Sequence, residues 1–369
     1  MKVLLINVTC GVGSHGHICK DIAEDYASMG HEVRIAYGRG TPTPDTRKYA
    51  VKIGNKAEVY IHALYARLFD RSGFGSWIGT LRFLKWVDEF EPDVIWLHNI
   101  HGYYINIKYL FKWIKRHPQV EVKWTLHDCW SFTGHCGHFI RANCYKWKSQ
   151  CYNCANKLEY PQSVFLDSSR KNYIEKKALF CGVKKMEIIV PSNWLAKHVR
   201  DSYLNEYPIT VKHNQVNNEV FKYTESDFRK RYNIDDKIVI LGVSAVWSNN
   251  KGLDEFIELA QMLDDRYVVV LVGMKKRQIK KYSTSIMGLP RTNDQRMMAE
   301  YYSSADYFVN ASKEETFSMT TLEALSCGAK VIVYRGTACE EVVEMYGSGK
   351  VVDFGVEHIY TAIMKGSSK

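Results

Sequence analysis

The sequence of 369 residues contains no long apolar run. Its longest uninterrupted apolar stretch, around Tyr267–Val272, falls far short of the roughly 18 residues that cross a bilayer, and the mean hydropathy is negative. A transmembrane helix is therefore not expected. No small-residue cleavage site follows the opening residues, which run straight into a Gly-rich turn, so the start reads as a first strand and not as a secretory signal. Internal repeats, low-complexity tracts and coiled-coil heptads are also missing, which leaves ordinary globular domains. Ten cysteines in a chain without an export signal are expected as thiols or metal ligands before disulfides, in a cytoplasmic protein.

With 46% apolar residues the chain can bury sizeable cores, and its length suggests two to three domains at a prior of about 150 residues each. The net charge of +10 is uneven. Residues 1–185 hold 27 Lys and Arg against 16 Asp and Glu, and the remainder holds 23 against 24. A basic half attracts nucleic acid, an anionic membrane or phosphorylated substrates, and charge alone does not choose among them.

Apolar runs rich in β-branched residues and Leu predict strands at 2–8, 31–37, 93–97, 120–126 and 187–191, with helical spacing between them, as over 18–29. After a polar, charged stretch at 223–237 the alternation restarts with strands at 238–243, 267–272, 307–309 and 330–333. Such alternation implies an α/β protein with parallel, doubly wound sheets. Two Rossmann-like domains, 1–195 and 196–369, are the simplest account, with a linker between 190 and 220. Residues 129–161 break the alternation and are rich in Cys, His, Trp and Lys, so they read as an insertion.

Between the first strand and helix, Gly11, Gly13 and Gly16 fit the G-x-G-x-x-G pattern of dinucleotide sites. Such a site also needs a carboxylate near the end of the second strand, and Arg34-Ile35-Ala36-Tyr37-Gly38-Arg39 has none. The turn instead reads as lining a cleft, with Gly13 and Ser14 as substrate-binding candidates. In the second half, Lys313-Glu314-Glu315-Thr316-Phe317-Ser318 leads into a predicted helix at 319–327, closed by Gly328. Free amides at that helix start suit a pyrophosphate or a sugar, and Glu323, within two turns of the start, can accept hydrogen bonds from ribose hydroxyls. His127 and Asp128 end a predicted strand, where cleft residues collect in open α/β sheets.

The spacing Glu315-x7-Glu323, with Phe317 between, resembles the E-x7-E signature of glycosyltransferase family 4. Lys251-Gly252-Leu253 looks like that family's phosphate-binding turn, Tyr301-Tyr302-Ser303-Ser304-Ala305-Asp306 like the segment before the signature, and Thr337-Ala338-Cys339-Glu340-Glu341 like the acidic loop after it. Segments 92–99, 124–128 and 190–195 are similar to bacterial members that build surface polysaccharides. The resemblance implies a GT-B fold, two Rossmann-like domains with a central cleft, the first on the acceptor side and the second binding the nucleotide sugar. It implies retaining transfer from a nucleotide-diphosphate sugar to a glycan or lipid-linked acceptor, with no nucleic acid as partner.

By resemblance Glu315, His127 and Lys251 are catalytic, while Glu323, Phe317, Ser318, Gly13, Ser14 and Asp128 bind substrate. No catalytic cofactor or metal is implied. Two departures stand out: 245–250 holds no basic residue where relatives carry an Arg, and Ser318 occupies a position usually held by Gly. Alternatives are a GT-B-type sugar-nucleotide epimerase and a zinc-stabilised binding protein without catalysis.

Two further expectations come from the first half. Ile107, Leu110, Phe111 and Ile114 share one helical face and Lys108, Lys112 and Lys115 another, which reads as a solvated face or as a contact with an anionic membrane surface, making the protein peripheral there. Cys136, Cys144, Cys151 and Cys154 lie within 19 residues, the last two as C-x-x-C, and are the candidate ligands of a structural zinc that would replace a missing hydrophobic core. Cys129, His127, His135 and His138 are competing ligands, and reduced buried thiols, another metal or a disulfide are the alternatives.

Overall fold

Val3, Leu4, Leu5 and Ile6 are all shielded from solvent, the pattern of a strand covered on both faces in a parallel sheet. The structure, a computed structural model, describes residues 1–367 and divides into two units, the first Met1–Lys212 and the second starting at His213.

The first unit carries β1 (Lys2–Asn7), β2 (Glu32–Tyr37), β3 (Ala50–Lys52), β4 (Val94–Leu97), β5 (Glu121–Thr125), β6 (Met186–Val190) and β7 (Ile209–Val211). They form one parallel sheet in the order β3-β2-β1-β4-β5-β6-β7, with Val3 level with Val33 and Val94. Its helices are α1 (Gly13–Ser28), α2 (Lys56–Phe69), α3 (Trp77–Phe90), α4 (Ile107–Arg116), α5 (Ser169–Phe180) and α6 (Asn193–Arg200). The boundary expected at 195 moves to 212, because α6 packs under the sheet through Leu195 and Val199 and β7 pairs with β6. Helix α1 also starts earlier than expected, at Gly13, so the glycine turn is its first turn.

In the second unit β8 (Ile238–Val243), β9 (Tyr267–Val272), β10 (Met287–Leu289), β11 (Tyr307–Asn310), β12 (Lys330–Tyr334) and β13 (Lys350–Val352) form a parallel sheet in the order β10-β9-β8-β11-β12-β13. Helices α7 (Phe228–Arg231), α8 (Leu253–Met262), α9 (Lys276–Tyr282), α10 (Gln295–Ser303), α11 (Met319–Ser326), α12 (Ala338–Tyr346) and α13 (Val356–Ser367) cover it. The acidic stretch expected as a loop at 337–341 is the capped start of α12: Thr337 accepts from the Cys339 amide.

The irregular segment 129–161 has the apolar core that the sequence pattern hides. Phe132, Phe139 and Trp147 are buried, with ring centroids 4.9–5.0 Å apart along the Phe132–Trp147–Phe139 series, and Phe139 meets the His198 ring of α6 edge-on at 5.0 Å.

Asn106 joins α4 to the α2–α3 corner. Its side-chain oxygen caps α4 by accepting from the Tyr109 amide, and its amide nitrogen donates to the carbonyls of Phe74 and Gly75 at 2.7 and 3.0 Å. Asn106→Ala removes a cap worth about 1 kcal/mol and strands two buried carbonyls, so a loss of about 2–4 kcal/mol is expected in urea unfolding. Asn106→Asp keeps the cap without the donor and is expected to fall between wild type and the alanine variant.

Candidate active site

In the second unit the turn before α8 is stapled to the loop after β11. Asn250 accepts from the Lys313 amide and the Ser312 hydroxyl, at 3.2 and 3.3 Å. Gly252 has φ +76°, and a Cβ there would lie 2.4 Å from the Cβ of Ala311, so only glycine permits this approach. The result places Lys251 Nζ 2.6 Å from Glu315 Oε1. Burial would lower the Lys251 pKa, but the charge and hydrogen bond of Glu315 outweigh it and leave it raised.

Helix α11 begins beside this pair. Its cap, Ser318, accepts from the Thr321 amide at 3.3 Å and from Asn310 Nδ2 at 2.8 Å, which ties the helix start to the end of β11. No acid sits in the first turn, so the helix end stays electropositive. Phe317 is buried with its ring 6.1 Å from that of His213. Glu323, one turn into α11, accepts from the Tyr302 hydroxyl at 2.8 Å, and burial pushes its pKa up to about 7 against that hydrogen bond. Lys251, Glu315, Phe317, Ser318 and Glu323 thus belong to two connections at the C-terminal edge of one sheet, where ligands of open parallel sheets bind.

In the first unit the same edge gathers histidines. His98 Nδ1 lies 3.1 Å from His127 Nε2, and the His15 ring centroid is 4.2 Å from that of His127. The Asn99 amide donates to His15 Nδ1 at 2.9 Å, which leaves the His15 proton on Nε2. His101 Nε2 sits 2.8 Å from Asp128 Oδ2, and the other carboxylate oxygen accepts from the Trp130 amide. Burial lowers His15 to about 4 and His98 to about 3, and burial with three neighbouring histidines lowers His127 well below its usual range. Asp128 would rise on burial, yet His101 holds it well below the ordinary carboxylate range. His15, His98 and His127 are therefore neutral imidazoles beside one ionised carboxylate at neutral pH. Gly13 and Ser14 are exposed in the first turn of α1, one residue from His15 at the nearer end. Gly11 serves packing, since a Cβ there would lie 2.2 Å from the Thr43 hydroxyl.

The four expected zinc thiols do not form a metal site in this arrangement. Among the described residues no group of three or more His, Cys, Asp or Glu side chains is placed to hold a metal ion. Cys136 hydrogen-bonds Cys154, which raises the Cys136 pKa and lowers that of Cys154, while Cys151 accepts from the Gly134 amide and burial pushes it up to about 12. Of the competing ligands, His135 is paired with Asp70 and His127 faces His98. Phe132, Phe139 and Trp147 give this segment an apolar core of its own.

Sequence reasoning missed His15, His98 and His101, which come from the segments after β1 and β4 and show no spacing signature. Lys275, Lys276 and Arg277, exposed cations separated from the end of β9 by two residues, were likewise not singled out. Their position after a strand end was the available signal.

Residues 16–220 match the family described as Glycosyltransferase Family 4, and residues 224–366 match Glycosyl transferases group 1. WcaC of Escherichia coli (strain K12), named as a colanic acid biosynthesis glycosyl transferase, is 24% identical over 372 residues, covering 95% of this chain and 87% of WcaC. The N,N'-diacetylbacillosaminyl-diphospho-undecaprenol alpha-1,3-N-acetylgalactosaminyltransferase of Campylobacter jejuni is 33% identical over 132 residues, 33% of this chain and 34% of that enzyme. Anabaena HepE, solved with UDP-glucose, shares the fold at a TM-score of 0.64 and 14% identity, covering 100% of this chain and 90% of HepE. The expected pair of GT-B-type Rossmann-like units is present, and with more than half of its length inside one family description the chain belongs to glycosyltransferase family 4.

Proposed function

We propose that this glycosyltransferase moves a sugar, with retention, from a nucleotide-diphosphate sugar to a glycan or lipid-linked glycan in bacterial polysaccharide biosynthesis, acting in the cytoplasm. The observation that carries the reading is the Lys251–Glu315 pair beside the start of α11, with Glu323 one turn behind it. The relatives support it: WcaC by its polysaccharide, the Campylobacter enzyme by its diphospho-undecaprenol acceptor, HepE by its UDP-glucose. No observation favours the epimerase or the binding protein.

In this mechanism the diphosphate lies at Lys251 and the α11 amides, and the ribose at Glu323. The bond from anomeric carbon to phosphate oxygen breaks with its electron pair passing to the diphosphate, whose growing charge Lys251 and the amides stabilise. The acceptor oxygen bonds the anomeric carbon on the same face and its proton passes to the departing phosphate oxygen. Glu315 holds the sugar hydroxyls, and His127, a neutral imidazole oriented by His98, contacts the transferred sugar. Asp128 and the amides near Gly13 and Ser14 serve the acceptor side.

The direct test is a panel of sugar nucleotides with and without glycan acceptors. Acceptor-dependent nucleotide release that persists in excess EDTA is expected; isomerisation without release would establish the epimerase instead. In calorimetric titrations with a nucleoside diphosphate, Lys251→Ala and Glu323→Ala are each expected to lose about 1.5–3 kcal/mol of affinity, and Glu315→Ala to lower kcat more than affinity. Because burial holds Glu323 protonated below about pH 7, and the ribose hydroxyls bond best to the anion, affinity is expected to rise as pH increases through about 7. A Glu323→Gln variant is expected to show no such rise.

A further inference from the structure

Two helices of the first unit face the wrong way for a water-exposed surface. Helix α2 buries His62, whose ring nitrogens meet the Gly73 and Gly75 amides and the Ser76 hydroxyl, while Tyr60, Ile61 and Leu64 are 74, 58 and 58% exposed. Helix α3 buries Thr80 and exposes Trp77, Ile78 and Leu81 at 40, 60 and 47%. Tyr65 joins the two sets, its ring 5.4 Å from Trp77 and 5.3 Å from Phe69. A third segment extends the patch. The amides of Val164 and Leu166 donate to the carbonyls of Arg67 and Leu68, which lays the exposed Val164, Phe165 and Leu166 along the end of α2. Single exposed apolar side chains are ordinary on soluble proteins, but a joined set from three segments marks an interaction surface.

Cations surround the patch: Lys56 and Arg67 on α2, Arg82 and Lys85 on α3, all exposed. Arg82 also lines, with Lys52 and Trp86, a cavity of about 380 Å³ between the start of α2 and α3. Glu58 lines it too, but its carboxylate is occupied by the Asn55 and Gly79 amides. Ring contacts also lead from the histidine cluster to the buried side of α2, for the half-exposed Tyr160 has its ring 5.9 Å from His101 and 6.2 Å from Tyr103, and Tyr103 reaches His62 at 5.7 Å. The lysine face of α4 lacks this combination. Lys108, Lys112 and Lys115 are exposed, but Trp113 is buried and donates to Asp88, which leaves no large apolar side chain of α4 exposed beside them.

We propose that the α2–α3 face, with residues 164–166, docks on a bilayer containing acidic phospholipid. Its aromatic and aliphatic side chains enter the interface and its cations meet lipid phosphates, the pairing of features found in interfacial binding. The docking rests on the transferase reading for its purpose, since it brings a lipid-linked acceptor to the His127 and Asp128 side of the first unit.

Flotation of the full chain with vesicles of phosphatidylethanolamine and phosphatidylglycerol tests this, with phosphatidylcholine vesicles for comparison. Wild type is expected to float with the acidic vesicles and far less with phosphatidylcholine. Ile61→Ser/Ile78→Ser/Phe165→Ser and Arg67→Glu/Arg82→Glu/Lys85→Glu are each expected to lower partitioning about tenfold or more. Lys108→Glu/Lys112→Glu/Lys115→Glu is expected to float like wild type, and the serine variant to keep wild-type circular dichroism and turnover on a water-soluble acceptor. Wild type left among unbound protein, or both patch variants floating undiminished, would overturn the proposal. So would light scattering that shows a wild-type dimer lost in the serine variant, because a second copy would then own the patch. Turnover absent from every protein would count against the transferase reading alone and leave the flotation result standing.

Discussion

Parallel strand pairing is the constraint from which both candidate sites follow. Strands that run the same way must all end on one edge, so every connection leaving that edge starts where its neighbours start. In the first unit β1, β4 and β5 are adjacent, and the residues following them supply His15, His98, His101, His127 and Asp128. In the second, β8 and β11 are adjacent, and their connections supply Lys251, Glu315 and the start of α11. No long-range specificity is needed to bring these side chains together beyond the order of strands. What the sequence adds is local, such as the glycine at 252 that lets one connection lie on the other.

The two edges are charged in different ways. The Lys251–Glu315 pair is partly buried, so desolvation offsets much of its Coulomb gain, and its value lies in holding a cation and an acceptor in fixed positions. The histidine cluster has almost the opposite character. Burial keeps the His15, His98 and His127 rings uncharged, and the one anion, Asp128, is paired with His101, so the edge offers donors and acceptors with little net field. Such a surface is chemically suited to hydroxyls, whereas the second unit's edge, with Lys251 and the start of α11, is suited to phosphate.

The central strands were legible because each is a near-continuous apolar run, and the pair of glutamates was legible because its spacing matches a family signature. The outer strands β3, β7, β10 and β13 were not, since three residues carry no period. His15, His98 and His101 were hidden for another reason: they meet only through strand order, being separated by up to 86 residues. The cysteine spacing could be read, but Phe132, Phe139 and Trp147 follow neither helical nor strand period, so the apolar core of that segment did not show. Periodicity also does not tell which apolar side chains stay in water: α2 and α3 expose large apolar side chains, and α4 exposes none.

Those four outer strands have a consequence for how the protein behaves in a crowded solution. Each sheet presents its unpaired backbone groups over only three residues at either side, too short a template for another chain to extend into a fibril. Lysine punctuates three of these margins, as Lys52 ends β3, Lys212 follows β7 and Lys350 opens β13, and Pro290 directly after β10 removes the next donor. Sheets with near-continuous Val and Ile interiors would otherwise be sticky along both sides, so the brevity of their margins keeps them from aggregating.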